Sequence, residues 1–209
     1  PARMVSSVRA AMWREMKEGL AYIRNNSTIL ALVIVAIVPM FLGQPYMSML
    51  TVFARDVLEI GPVGLGLLTS ASAFGAVSGA LVLASLGDFR HKGTLMLGTM
   101  FAFGAMLFLF SLSSWPVVSI LLVTVVGAMS TMYNSSNNTI LQLMVPDNLR
   151  GRVMSTLFVS RGMVPLGTAM AGALATVIGA PLAVGAMAAT VVILALVVRI
   201  AVPALVALE

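Results

Sequence analysis

GTLMLGTMFAFGAMLFLFSLSSWPVVSILLVTVVGAMSTMYNSSNNTILQLMVP, residues 93–146, contains no charged side chain, and Ser113-Ser114-Trp115-Pro116 divides it near its middle. A bilayer core of about 30 Å needs roughly 20 apolar helical residues to cross it. The stretch therefore holds two crossings, and its tight connection makes them antiparallel neighbours. The same pattern extends outward. No charge falls from Asn25 to Ala54 or from Ile60 to Gly87, and beyond Arg152 only Arg161 and Arg199 precede the terminal Glu209. The reading is an all-α integral membrane protein with six transmembrane helices, at about 28–53, 62–86, 94–113, 116–144, 153–178 and 181–205.

Composition bounds the alternatives. Hydrophobic residues make up 60% of the 209 and charged residues 9%, where a soluble domain carries about a quarter charged. A net charge of +5 is compatible with nucleic-acid binding, but its placement points elsewhere. Arg3, Arg9, Arg14, Lys17 and Arg24 precede the first span, Arg90 and Lys92 follow the second, and Arg150 and Arg152 follow the fourth. The alternate loops have Arg55 as their basic residue. That alternation is the positive-inside pattern, so the expectation is both termini in the cytoplasm, a plasma (bacterial inner) membrane location and no nucleic-acid partner. The chain has no cysteine, which excludes disulfides and thiolate metal sites. The first apolar run is too long, and too basic before it, for a signal peptide. A chain that opens on Pro1 rather than Met is expected to be an internal piece of a longer polypeptide.

Residues 1–27 read as a cytoplasmic linker. Within it, 9–24 forms an in-plane amphipathic helix, with Met12, Trp13, Met16, Leu20 and Ile23 on one face and Arg14, Lys17, Glu18 and Arg24 on the other. Residues 28–205 form the transmembrane domain. Ala71, Gly75 and Gly79, and again Ala171, Ala175 and Gly179, form small-residue ladders that allow close helix packing. Pro39 and Pro45 in the first span, and Pro165 beside Gly167 in the fifth, are expected to bend or break those helices.

Polar side chains are unevenly distributed. The first span holds Gln44, Tyr46, Ser48 and Thr51, the second Thr69, Ser70, Ser72 and Ser78. The fourth holds Ser130, Tyr133, Asn134, Asn137, Asn138 and Gln142, and the fifth Ser160, Arg161 and Thr168. The third offers Thr99 among Phe101, Phe103, Phe108 and Phe110, and the sixth Thr190 and Arg199. Lipid does not solvate amides, so spans one, two, four and five are expected to face protein or water, and spans three and six to face lipid.

Ser130, Asn134, Asn137 and Asn138 fall within about a 100° arc of one helix. Two readings stay open: hydrogen-bonding glue between helices, or, favoured by the clustering, one wall of a substrate path that Gln44 and Tyr46 also line. Arg161 lies roughly 13 Å into its span, at a depth similar to Asn134, with no acidic residue in the spans to neutralise it. It is expected to face a water-filled cavity and an anionic group. Arg199, near a span end, reads as an anchor that snorkels to the interface.

GDFRHKG (87–93) and PDNLRGR (146–152) carry opposite charges on loops of the same side, and such pairs can hold one face of a bundle shut. Asp88, Arg90, Asp147, Arg150 and Arg152 are thus candidate cytoplasmic-gate residues. His91 has no second ligand at metal-site spacing and reads as solvated. No nucleophile–base pair, phosphate loop or ATP-binding fingerprint is present, so neither an enzyme nor a cofactor site is expected.

The run NTILQLMVPDNLRGRVMS (138–155) resembles the signature between helices ten and eleven of drug and siderophore exporters of the major facilitator superfamily, above all the enterobactin-exporter and macrolide-efflux group. WREMKEGLAYIRNNSTILAL (13–32) is similar to that group's central linker entering helix seven. LGDFRHKG (86–93) resembles the loop motif between helices eight and nine, and MVPLGTAMAGALA (163–175) helix eleven. Phe89, where a base is common, and Arg161, where an uncharged residue is expected, depart from the pattern. The resemblance implies the carboxy-terminal half of a twelve-helix secondary transporter, built as a 3+3 inverted repeat, with the missing amino-terminal half as partner. It implies that spans one, two, four and five line the cavity, and that Asp88, Arg90, Arg150 and Arg152 lie at the cytoplasmic gate. The expected function is ion-gradient-driven efflux of small amphipathic molecules. The spans hold no carboxylate, so coupling would lie in the other half. A six-helix homodimeric transporter and a non-transporting scaffold or receptor are the rival readings. The bilayer and a small-molecule substrate are the remaining partners.

Overall fold

The computed structural model describes residues 23–24, 26–87, 91–146, 151, 162 and 164–206. Eight helices are described: α1 (Ser27–Leu42), α2 (Tyr46–Val52), α3 (Gly61–Ser85), α4 (Lys92–Leu112), α5 (Pro116–Met144), α6 (Val164–Ile178), α7 (Ala180–Ala201) and the short α8 (Pro203–Val206). A π-helical turn, Phe53–Val57, extends α2. No strand occurs among the described residues. The first span, Ser27–Val57, is α1, α2 and the π turn together; with α3, α4, α5 and α7 it makes five helical segments long and apolar enough to cross a bilayer. The sixth, α6, is shorter as described, and the expected start of that span, 153–163, lies largely outside the described residues. So does nearly all of the in-plane helix expected at 9–24.

Local chemistry sets the boundaries. Asn26 caps α1, its side-chain oxygen accepting from the backbone N–H of Thr28 at 3.1 Å and of Ile29 at 3.2 Å. Helices α3, α5 and α7 each begin with proline in the first turn, where its missing N–H leaves no bond unmade. Gly179, at φ 85°, turns the chain from α6 into α7, a conformation that glycine adopts without strain.

The first span is interrupted where the proline spacing predicts. Residues 43–45 form a turn, in which the N–H groups of Gly43 and Gln44 both reach the Pro39 carbonyl, at 2.7 and 3.2 Å. Pro45 cannot donate to the Phe41 carbonyl. On α6, Gly167 closes on that same oxygen so tightly that a Cβ there would collide with it. The freed carbonyl thus faces protein and not lipid.

Helix α4 sits at the centre, packed along α5 on one side and α7 on the other, while α3 lies along α5. The first span contacts α3, α5, α6 and α7. Glycines set the close approaches. A Cβ on Gly75 or Gly79 would strike the carbonyls of Thr124 or Ala128 on α5, and one on Gly127 would strike the Ser72 carbonyl on α3. The first small-residue ladder therefore packs as its spacing predicts. The second does not run as a ladder, because Gly179 has left the helix to form the turn.

Large apolar side chains cover the exterior: Val63, Phe74, Val177 and Ile200 are each at least 70% exposed. Such a surface would aggregate in water and is at home in lipid. The expected lipid-facing position of span three needs correction. Span three is the most enclosed of the five long spans and span two the least. Phe103 and Phe110 are fully buried, while Phe101 and Phe108 face outward. A polar count cannot detect this, because lipid and protein interior are equally apolar. The hydroxyls of Thr69 and Ser78 bond to their own helix, to the Leu65 and Phe74 carbonyls at 2.9 Å each. Of the expected polar residues of span two, Ser72 is the buried one.

Gly127→Leu should disrupt the α3–α5 approach, lowering the detergent melting temperature through an overpacking cost of at least 1–3 kcal/mol. Gly66→Ala, whose Cβ meets nothing within 4 Å, should leave it unchanged or raised. Equal effects of the two in a thermal-shift assay would mean that α3 and α5 do not touch as described.

Candidate functional site

The interruption of the first span presents side chains as well as backbone. Gln44 lies in the turn, half-buried, and Tyr46 opens α2, buried. Gln44 Nε2 donates to Ser130 Oγ on α5 at 3.3 Å. Asn134 Nδ2 donates to the Ser130 carbonyl at 2.8 Å and lies 3.5 Å from its hydroxyl. The Tyr46 hydroxyl shares a hydrogen bond of 2.9 Å with Ser72 Oγ on α3, and Met47 Sδ lies 3.8 Å from the same oxygen. Span one thus makes polar contacts with span four through Gln44 and with span two through Tyr46.

Aromatic rings back this line. Tyr46 stands edge-on to Phe103, centroids 6.4 Å apart, and Phe103 stacks on Tyr133 at 6.1 Å, within the range of favourable ring pairs. Gly43 makes room: a Cβ there would meet the Phe103 ring at 2.5 Å. Tyr133 is 1% exposed and Asn137 3%. The Tyr133 hydroxyl and Asn137 Oδ1 have no hydrogen-bond partner among the described residues. Buried polar atoms are rarely left so, since each costs about 1–3 kcal/mol. The arrangement offers amide and hydroxyl groups on one helix face beside a flat aromatic wall, the donor set for a solute part polar and part apolar.

The structure therefore brings Gln44, Tyr46, Ser130 and Asn134 together, with Asn137 buried one turn further along α5 and Asn138 half-buried beside it. Arg161 lies outside the described residues, as do Asp88, Arg90, Asp147, Arg150 and Arg152. The gate loops are seen by their edges. A cavity of about 120 Å³ lies between α3, α4 and α5, lined among others by Gly87, Lys92, Ser136 and Thr139. Sequence reasoning missed Phe103, assigned to a lipid face, and did not select Ser72 and Tyr133 from their spans. The signal for Phe103 was indirect: a glycine in a proline-flanked break needs a bulky neighbour to fill the space. Among the described residues no group of three or more histidine or acidic residues could hold a metal ion.

Comparison with known proteins places the chain. Residues 2–209 match the family described as transmembrane secretion effector, and the chain belongs to that family, within the major facilitator superfamily of transporters. Macrolide efflux protein A of Streptococcus pyogenes is 25% identical over 153 residues, which cover 72% of this chain and 38% of that protein. The protein of the same name from Enterococcus faecalis is 25% identical over 153 residues, 72% of this chain and 47% of its own length. The match thus spans less than half of each relative. No solved structure matches the chain. The family is one of multi-pass membrane transporters and not of enzymes.

The Gln44–Ser130 bond joins two spans, and intramembrane bonds of this kind average about 0.6 kcal/mol. A double-mutant cycle of Gln44→Leu and Ser130→Ala, read by thermal unfolding in detergent, should return a coupling of that order. Strict additivity would show that the two side chains act independently.

Proposed function

We propose that the chain is the carboxy-terminal half of a twelve-helix secondary transporter that exports small amphipathic molecules of the macrolide type by alternating access. The buried polar and aromatic cluster carries this reading. Gln44, Tyr46, Ser130 and Asn134 lie at or beside the break of the first span, with Asn137 buried one turn further along α5, and intramembrane polar groups mark solute paths. The family match and the names of the relatives support export, and the share of each relative that is matched supports a missing half.

On this reading Ser130, Asn134, Asn137 and Asn138 form the polar wall with Gln44 and Tyr46, and the Phe103–Tyr133 pair lies behind it. Arg161 meets an anionic group of the solute or of the other half. Asp88, Arg90, Asp147, Arg150 and Arg152 form ion pairs that close the cytoplasmic side. The two groups of three spans are inverted repeats, both ends of the chain are cytoplasmic, and an ion gradient, of protons, drives export through groups in the other half.

Two measurements test the proposal. The native polypeptide should have an intact mass near twice the 21.8 kDa of this chain, whereas a mass near 21.8 kDa would favour the homodimer. In cells lacking other pumps, Asn134→Ala and Arg161→Ala in the full-length protein should each slow macrolide efflux at least about tenfold at equal membrane abundance. Tenfold corresponds to about 1.4 kcal/mol, the worth of one good solute hydrogen bond. Unchanged efflux in both variants would remove the cluster and Arg161 from the path.

A further inference from the structure

We propose that the outer groove between α4 and α7 is a binding site for an anionic phospholipid of the cytoplasmic leaflet, with Arg199 holding the phosphate. The groove has a volume of about 240 Å³ and is lined by Leu97, Gly98 and Phe101 of α4 and by Ala195, Leu196 and Arg199 of α7. Its floor is sealed by Leu97 and Ala195, each 3% exposed, while Phe101 and Leu196 are 41% and 44% exposed and open it outward. It is a slot on the surface, and no path to the polar cluster runs through its buried floor.

Three observations select the occupant. The lining is apolar except at one end, where Arg199 stands in the last turn of α7, exposed and without an acidic partner among the described residues. Arg199 lies four positions beyond Ala195, about 6 Å along the helix, and in the last turn of its span, so the charge sits at headgroup depth and the slot runs inward from it. An acyl chain matches the slot and a phosphate matches the guanidinium, which binds such oxyanions in bidentate fashion. Gly98 provides the width: a Cβ there meets nothing within 4 Å, so the glycine keeps space open that no protein atom fills. The end of α7 lies beside the start of α4, the side to which the positive-inside pattern assigns the cytoplasm, where the leaflet is anionic and basic pockets between helices bind lipid headgroups. A zwitterionic lipid sets an ammonium beside the same phosphate and gains less from Arg199.

The inference rests on the membrane orientation and not on the solute path, and a binding readout keeps the two apart. Full-length protein, delipidated in detergent, would be titrated with phosphatidylglycerol and with phosphatidylcholine of the same acyl chains and read by native mass spectrometry. The wild type should retain phosphatidylglycerol over phosphatidylcholine. Arg199→Gln should weaken phosphatidylglycerol binding about fivefold, the effect of one basic side chain at an anionic lipid surface, and Arg199→Lys should restore most of it. Gly98→Leu, whose Cβ would meet nothing within 4 Å, puts a side chain into the slot and should weaken binding while leaving the charge in place. The efflux variant Asn134→Ala should bind lipid normally. Equal retention of the two lipids by the wild type would overturn the proposal, as would full phosphatidylglycerol binding by Gly98→Leu. If Arg199→Gln does not fold, Gly98→Leu and Arg199→Lys decide the matter by the same criteria.

Discussion

A hydrocarbon interior offers no water to an unpaired peptide group, and every irregular stretch of a transmembrane chain must find its hydrogen-bond and packing partners in protein. In this bundle that constraint acts hardest at residues 43–45. Pro45 removes the donor for the Phe41 carbonyl, and Pro39 removes the one for Val35. The interrupted span therefore cannot face lipid at that level, and it sits against four other spans. Gly167 lies against the Phe41 oxygen, where a Cβ would collide with it. The position of Gln44 and Tyr46 at the break follows from the same defect. The polar cluster is in this sense a consequence of two prolines.

The rest of the bundle is held by proximity. Between apolar helices in lipid there is no hydrophobic gain from association, so dispersion contacts and close backbone approach must do the work. Gly75, Gly79 and Gly127 bring α3 and α5 to backbone contact, and Gly104 does the same for α4 against Val192 and Ala188 on α7. The aromatic residues fill what the glycines open: Phe53 and Phe110 lie 4.6 Å apart, and Phe103 covers Gly43. Small and large residues are thus complementary, and neither class is interpretable alone.

This explains which features were legible in the sequence. Uncharged runs define the spans because burying charge in lipid is costly, and five helical segments long and apolar enough to cross a bilayer are described, with a shorter sixth. The break at 43–45 and the ladder of Gly75 and Gly79 were legible for equally local reasons. The side of each helix was not. Thr69 and Ser78 look like water-facing residues in a count, yet each hydroxyl is satisfied within its own turn. Phe103 looks like a lipid-facing residue, yet it is the ring that links Tyr46 to Tyr133. In a soluble protein the hydrophobic pattern tells inside from outside; in a bilayer both sides are apolar, and the pattern loses that information. The asparagines were legible because an amide carries two donors and an acceptor, so one bond back to its own helix, such as Asn134 Nδ2 to the Ser130 carbonyl, leaves the rest of the group to be paired.

Even so, amides can be glue, and the distinction lies in satisfaction. Glue is selected for completeness, since a half-paired polar network is worse than an apolar core. Here Gln44, Ser130 and Asn134 form one bonded set and Tyr46 and Ser72 another, but the Tyr133 hydroxyl and Asn137 Oδ1, deeply buried on the same helix, have no partner among the described residues. A protein with a single resting arrangement gains nothing from that cost. A protein that alternates between two arrangements must give some groups partners in one and withhold them in the other, because the energy difference between states has to stay within a few kcal/mol for both to be populated. On the proposed reading, Tyr133 and Asn137 are the groups whose partners arrive with the solute or with the opposite state. A gain in stability on Tyr133→Phe, accompanied by slower efflux, would distinguish that role from simple packing.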